Sequence, residues 1–275
     1  MSTAVLKEAP SASSSDSIFL QMLKAETKKL TRRKGVVAFT AILTVGVVVI
    51  TFAILEIYHL SDPVKYTPIG GTAGFTKLVL MLSELTIIPA SILGSTAGSQ
   101  DMESGVVRDM IVTGRSRIAL FMLRIEAPIV VWIVPELIAY LIGLAIVFGL
   151  SGGNPLPTMH LVLEGGLYCL GVSLVFVLTA SGFSSLFGTR GPAIAVMIGW
   201  TFVIESILLN VTALGPVRDA FLTTAISALS PFADQSRRLK AAGVTPSLAV
   251  DYITIIAWPL VMNIAGWIRF RRLEA

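Results

Sequence analysis

The stretch VVAFTAILTVGVVVITFAILEIY, residues 36–58, carries a single charge, Glu56, close to its end. At ~1.5 Å per residue a run of this length crosses the ~30 Å hydrocarbon core of a bilayer. No water is available there to bond the backbone, so every N–H and C=O must be satisfied within the segment, and the segment must be a helix. Comparable runs extend from about Thr76 to Gly98, Ile118 to Leu150, His160 to Phe187, Gly191 to Val211 and Asp251 to Arg269. Composition agrees with six spans. The 275 residues are 54% hydrophobic and only 14% charged, with a mean hydropathy of +0.82, which is more apolar surface than one soluble core hides. The chain reads as an all-α integral membrane protein with six transmembrane helices. The third run exceeds the membrane thickness, so Arg124 and Glu126 are expected at the water interface, with Pro128 and Pro135 bending the remainder.

Lys and Arg orient these spans. With both termini cytoplasmic, only Lys65, Lys77, Arg218, Arg237, Arg238 and Lys240 of the 21 basic residues fall on the outer side, as the positive-inside bias demands. The expected division is a disordered, Ser-rich cytoplasmic tail at 1–16, an interfacial helix at 17–34, a transmembrane domain at 35–270 and a short cytoplasmic tail at 271–275. The expected location is the cytoplasmic membrane of a bacterium. Cys169, the only cysteine, sits in an apolar run and reads as a small packing residue.

The letters LSGGNP, residues 150–155, look like the signature with which an ATP-binding-cassette ATPase grips nucleotide. The orientation puts them at the outer end of the third span, away from cytoplasmic ATP, and the chain has no GxxxxGK[ST] phosphate loop. Gly152, Gly153 and Pro155 therefore read as a turn. Gly182-Phe183-Ser184-Ser185 has the letters of an intramembrane protease turn, but His59 and His160 lie near the opposite ends of spans from Ser184, out of reach as its base. No catalytic constellation and no metal cluster emerges, so the chain is expected not to be an enzyme.

Two segments on the cytoplasmic side invite a mechanical reading. In SIFLQMLKAETKKLTRRK, residues 17–34, Phe19, Met22, Leu23 and Leu30 share a helical face while Lys24, Lys28 and other cations lie elsewhere. Such a helix rests in the inner interface with its apolar side toward acyl chains; a plain topological anchor explains the charges as well. In GSQDMESGVVRDMIVTGRSR, residues 98–117, a short helix from Glu103 to Val112 is expected between Gly98 and Gly114, with Asp101 capping its start.

The order Glu103-x-Gly105-x-x-Arg108, then Gly114-x-Ser116-Arg117 leading into a span, resembles the first cytoplasmic loop of type-2 ATP-binding-cassette transporter permeases. Val106 stands where that family commonly has Thr, and Gly114 where Pro is frequent. The basic lead-in, six spans with both ends inside, and a long outer segment before the last span extend the likeness over nearly the whole chain. The resemblance implies a permease subunit paired with a second permease, identical or sister, in membrane lipid. Each would rest on a separate cytoplasmic ATPase that holds the ATP and Mg, with no cofactor and no nucleic acid bound by this chain. Closure of the ATPases would press on Asp101, Glu103, Gly105, Arg108, Gly114, Ser116 and Arg117. The family's range implies export of a hydrophobic or amphipathic compound such as a drug, antimicrobial peptide or lipid-linked molecule. It also implies short helices dipping back into the outer leaflet within 211–250, where Leu214–Leu229 is apolar enough to re-enter.

Within the spans, Glu84, Glu136 and Glu205 are expensive unless paired, neutral or facing a cavity, which makes them candidates for a substrate path or gate. Interhelical hydrogen bonding is the competing reading. Ala90, Gly94 and Gly98, and again Gly191, Ala195 and Gly199, recur every four positions and let another helix approach, within the subunit or across a dimer. An ion-coupled transporter using the glutamates is the rival function; no internal repeat of the kind common in such proteins is visible.

Overall fold

The computed structural model describes residues 12–66, 68–112, 114, 116–232, 239, 243–244 and 247–272. Residues 1–11 of the expected tail, the Arg237, Arg238 and Lys240 cluster and residues 273–275 lie outside the described residues, as do the side chains of residues 12–17, Arg108 and Ile111. All the regular structure among the described residues is helical: α1 (Ala12–Thr31), α2 (Lys34–Ser61), α3 (Gly71–Glu103), α4 (Val106–Val112), α5 (Arg117–Gly149), α6 (Met159–Phe187), α7 (Arg190–Leu209), α8 (Leu222–Ala228) and α9 (Leu248–Arg271). Six of these, α2, α3, α5, α6, α7 and α9, are long and apolar enough to cross a membrane, the pattern of a multi-pass helical membrane protein.

An even number of crossings returns the chain to the end where it started. There, at the base of the bundle, Phe270 near the end of α9 clusters with Val107, Leu120 and Phe121, and Met22 of α1 packs beside them. Several boundaries differ from those expected. Helix α1 starts at Ala12, inside the stretch read as tail, and α3 starts at Gly71 and runs on to Glu103. It is interrupted once, at Thr86, because Pro89 three residues on has no N–H to continue the ladder. Helix α5 is continuous through Pro128 and Pro135.

The long helices bury two apolar clusters stacked along the bundle. Toward the far end, Phe75, Leu78, Val79, Ala139, Val147 and Cys169 meet; toward the base, Ala90, Leu93, Trp132, Phe176, Val177 and Ala180 do. Helix α3 reaches α6 closely through its small residues. A Cβ on Gly94 would stand 2.2 Å from the Val177 carbonyl oxygen, and one on Gly98 would stand 2.4 Å from that of Ser181. The second stripe is different: a Cβ on Gly191 or Gly199 would meet nothing within 4 Å, and Ala195 is exposed.

At the far end, LSGGNP is a turn with Gly152 at φ 55° and Gly153 at φ 85°, left-handed values that glycine tolerates. It clamps the start of α3, since Gly70 N–H donates to Leu150 O at 3.0 Å and Thr72 N–H to Pro155 O at 2.8 Å. After α7 a 3₁₀ segment, Thr212–Ala220, leads into α8. Leu222 and Ile226 of α8 are buried in the apolar cluster nearer the base. Tyr168 Oη donates to Ile226 O at 3.1 Å and Trp258 Nε1 to Ala220 O at 3.3 Å. These two residues lie about ten positions, or ~15 Å, from the far ends of their helices, so α8 returns deep into the bundle.

Candidate functional site

The charged residues of the base converge on Asp101. It does not cap the short helix; it occupies the last turn of α3, 3% exposed, because α3 continues farther than expected. Its Oδ1 accepts from Lys29 Nζ of α1, and its Oδ2 lies 3.4 Å from Arg124 Nη2 of α5. Arg124, also 3% exposed, stands over the Phe270 ring of α9 at 4.5 Å from its centroid, and its own carbonyl accepts from Ser181 Oγ of α6 at 3.3 Å. Five helices thus meet at one ion triad, its Asp101 and Arg124 buried and its Lys29 half-buried. Arg124 is not at a wet interface as expected, because a guanidinium seven residues into an apolar helix needs an anion, and Asp101 supplies it. Glu26 completes the group at 3.5 Å from Lys29. Burial pushes the Glu26 carboxyl above its usual range, the Asp101 charge adds to the rise, and Lys29 and Arg124 oppose it.

Glu103 is the last residue of α3. One of its oxygens accepts from the Arg190 backbone N–H at 2.5 Å and from Ser99 Oγ at 3.1 Å; the other lies 3.8 Å from Arg190 Nε. A carboxylate at the first N–H of α7 satisfies a donor that the helix itself leaves open. The short helix is α4, flanked by Gly105 at φ 72° and Gly114 at φ 76°, each in open space. It buries Val107 and turns Val106, Asp109 and Val112 outward, Val112 being 75% exposed. Arg108 belongs to this helix. Ser116 precedes α5 without a side-chain cap, and Arg117 Nη1 donates to Arg271 O at 2.8 Å.

Helix α1 turns part of its apolar side toward the bundle. Met22 packs on the α5 and α9 aromatics and Leu30 is 3% exposed in the core, while Phe19 and Leu23 are half-buried and Lys24 and Lys28 exposed. The Lys29 bond to Asp101 holds that face against the bundle. Periodicity identified the apolar face without saying whether lipid or protein covers it.

The three membrane glutamates part company. Glu205, 1% exposed, accepts from the backbone N–H groups of Leu222 (3.2 Å) and Thr223 (2.9 Å), from Thr223 Oγ1 and from Trp200 Nε1 (2.7 Å). Its carboxyl is the acceptor at the start of α8 and fastens that helix to α7, where a π-helical stretch, Gly199–Ile204, contains Trp200. Glu84 is exposed, on a cavity of about 260 Å³ between α3, α6, α7 and α8 that Ser83, Tyr168, Thr201, Ser206 and Thr223 also line. Glu136 is 1% exposed between the two apolar clusters, and neither of its oxygens has a hydrogen-bond partner among the described residues. Trp132 Nε1, one turn away on the same helix, and Thr86 Oγ1 at the break in α3 are equally unmatched.

The geometry brings Asp101 and Glu103 to the base with Lys29, Arg124 and Arg190, none of which sequence reasoning had put in the site. The signal for one of them was present: an arginine well inside an apolar span requires a buried carboxylate. Glu84, Glu136 and Glu205 do not form one cluster. No protein-family model matches the chain, and no curated protein matches it in sequence.

Proposed function

We propose that this chain is the membrane-spanning permease subunit of an ATP-driven transporter of the type-2 ATP-binding-cassette kind, exporting a hydrophobic or amphipathic compound from a bacterial cytoplasmic membrane. The observation that carries the reading is the Lys29–Asp101–Arg124 triad. Through it the lead-in helix, the end of α3 beside α4 and the base of α5 are one mechanical unit, and Glu103 adds the start of α7. A force applied to α4 from the cytoplasm is handed to the spans at that unit. The outward Val106 and Val112 support a protein partner, since two exposed valines on a seven-residue helix suit an apolar contact more than solvent. That partner is the ATPase, and ATP and Mg belong to it.

The open Gly191, Ala195 and Gly199 stripe on α7 supports pairing with a second permease. The cavity beside Glu84 lies on the face that α7 shares with α3, so the substrate path runs there, its hydroxyls and one carboxyl suiting an amphipathic cargo. A second reading, ion-coupled transport, is favoured by one observation, Glu136, whose oxygens have no hydrogen-bond partner among the described residues. Gentle purification from the native membrane distinguishes the two. The permease reading expects a stoichiometric soluble subunit with a phosphate loop and vanadate-sensitive hydrolysis in the eluate. Transport without such a subunit, lost when the proton gradient is collapsed, would replace it with the ion-coupled reading.

A further inference from the structure

Between α5 and α9, near the base, runs a groove of about 250 Å³ that no side chain of the described residues fills. Its walls are two apolar stripes, Ile118, Met122 and Ile125 on α5 and Leu260, Ile264 and Trp267 on α9, with Asn263 between them on α9, its amide donating to Leu178 O and Pro259 O. Each stripe follows the i, i+4, i+7 spacing of one helical face and extends for ~10 Å, a large part of one leaflet of the ~30 Å hydrocarbon core. Ile118 is 57% and Leu260 55% exposed, so the groove opens outward, toward where lipid would lie. Toward the base it ends on rings: Phe121 and Trp267 are 5.4 Å apart and Phe121 and Phe270 5.7 Å apart, centroid to centroid.

Beyond the rings the chemistry changes sign. Arg271 follows Trp267 by four residues and so sits one turn farther along the groove face, exposed at the end of α9 beside exposed Arg272. The Arg117 bond to the Arg271 carbonyl joins the two helix ends below the groove. The third basic residue of this stretch, Arg269, is turned away and donates to Leu186 O of α6. An apolar slot with an aromatic collar at interface depth and cations just below it is complementary to a molecule with an acyl chain and a negative headgroup.

We propose that this groove binds an anionic phospholipid of the leaflet at the base, one acyl chain lying between α5 and α9 and the phosphate at Arg271. The groove shares no lining residue with the cavity beside Glu84 or with the ion triad, and it stands whichever transport reading holds. The exposed Arg271 and Arg272 at its basal end distinguish it from the other apolar hollows of the bundle, because a groove alone takes the acyl chain of any lipid while the cations select a negative headgroup.

The test is native mass spectrometry of the detergent-purified protein, with any subunits that accompany it, after exposure to equal amounts of phosphatidylglycerol and phosphatidylcholine of matched chains. The wild type is expected to retain phosphatidylglycerol in preference. Arg271→Gln is expected to reduce that preference about fivefold, the equivalent of the ~1 kcal/mol a basic residue contributes at an anionic surface. Ile264→Trp, which fills the slot, is expected to lose the retained lipid of either class. Met122→Trp fills it from the opposite wall, so a misfolded Ile264→Trp leaves the test intact. Equal retention of both lipids by the wild type, or phosphatidylglycerol retention unchanged in Arg271→Gln and in a folded groove-filling variant, would overturn the assignment. So would a Met122→Cys cross-link to a partner's transmembrane helix seated in the groove.

Discussion

Asp101 holds two cations at once, one from α1 and one from α5, at 3% exposure. Its replacement by Asn leaves Arg124 buried with a neutral neighbour, and breaking a buried pair in this way costs about 3–5 kcal/mol. Asp101→Asn is therefore expected to melt well below the wild type in detergent, while the apolar pair Asp101→Leu with Arg124→Met recovers most of the loss. A melting temperature unchanged by Asp101→Asn would remove the triad as a structural centre. Glu26 gives the same junction a pH dependence. Its carboxyl is pushed above the ordinary 4.5, so the protonated form is the one the fold favours. Its contribution is complete below that ordinary value and is lost as pH rises through the elevated one. Melting measured across that acidic range should decline with pH in the wild type and less steeply in Glu26→Gln; parallel curves would mean that Glu26 senses neither Asp101 nor burial.

Two glutamates of equal burial should answer the same substitution with opposite signs. Glu205→Leu strips the Leu222 and Thr223 N–H groups of their acceptor, and each buried donor left open costs about 1–3 kcal/mol. Glu136→Leu removes two oxygens that have no partner among the described residues, and exchanging unmatched polar atoms for an apolar side chain is neutral or stabilising. Loss of melting temperature in the first and none in the second is the expected pair. A large loss in Glu136→Leu would reveal that its carboxyl is bonded, to internal water or a bound ion.

At the scale of elements, the two small-residue stripes carry different loads. Gly94→Val and Gly98→Val drive side-chain atoms into the α6 backbone and are expected to abolish folding, since neither Val177 O nor Ser181 O can move away cheaply. Gly191→Val and Gly199→Val meet open space in the single chain and should leave its melting unchanged. If a second permease lies on α7, those two variants lower the yield of cross-linked dimer in membranes; an unaltered yield takes that stripe out of the interface. Helix α8 makes a related point. Seven residues do not make a stable helix alone, and this one persists because Glu205 caps its start and the bundle buries its Leu222 and Ile226 face.

For the whole molecule, six apolar runs were legible as spans because each is a local property: enough uncharged residues to cross a bilayer, and a backbone that must bond to itself there. The glycines of LSGGNP were legible as a turn for a similarly local reason, the left-handed backbone that only such residues adopt freely. What a side chain meets across the bundle was not legible. Asp101 has the letters of a helix cap and becomes the hub of an ion triad, because α3 continues past the point where its sequence turns polar. Met22 and Leu30 of the apolar face of α1 meet protein, on the helix whose Lys29 reaches Asp101. Glu84, Glu136 and Glu205 look alike along the chain, yet one lines a cavity, one lies unmatched in the core and one caps a helix. The sequence by itself determined the all-α class and the number of helices long and apolar enough to cross a membrane. Only the tertiary structure decided which charges pair, which small residues are already occupied and which faces stand open, because those depend on residues tens of positions apart being brought within a few ångströms.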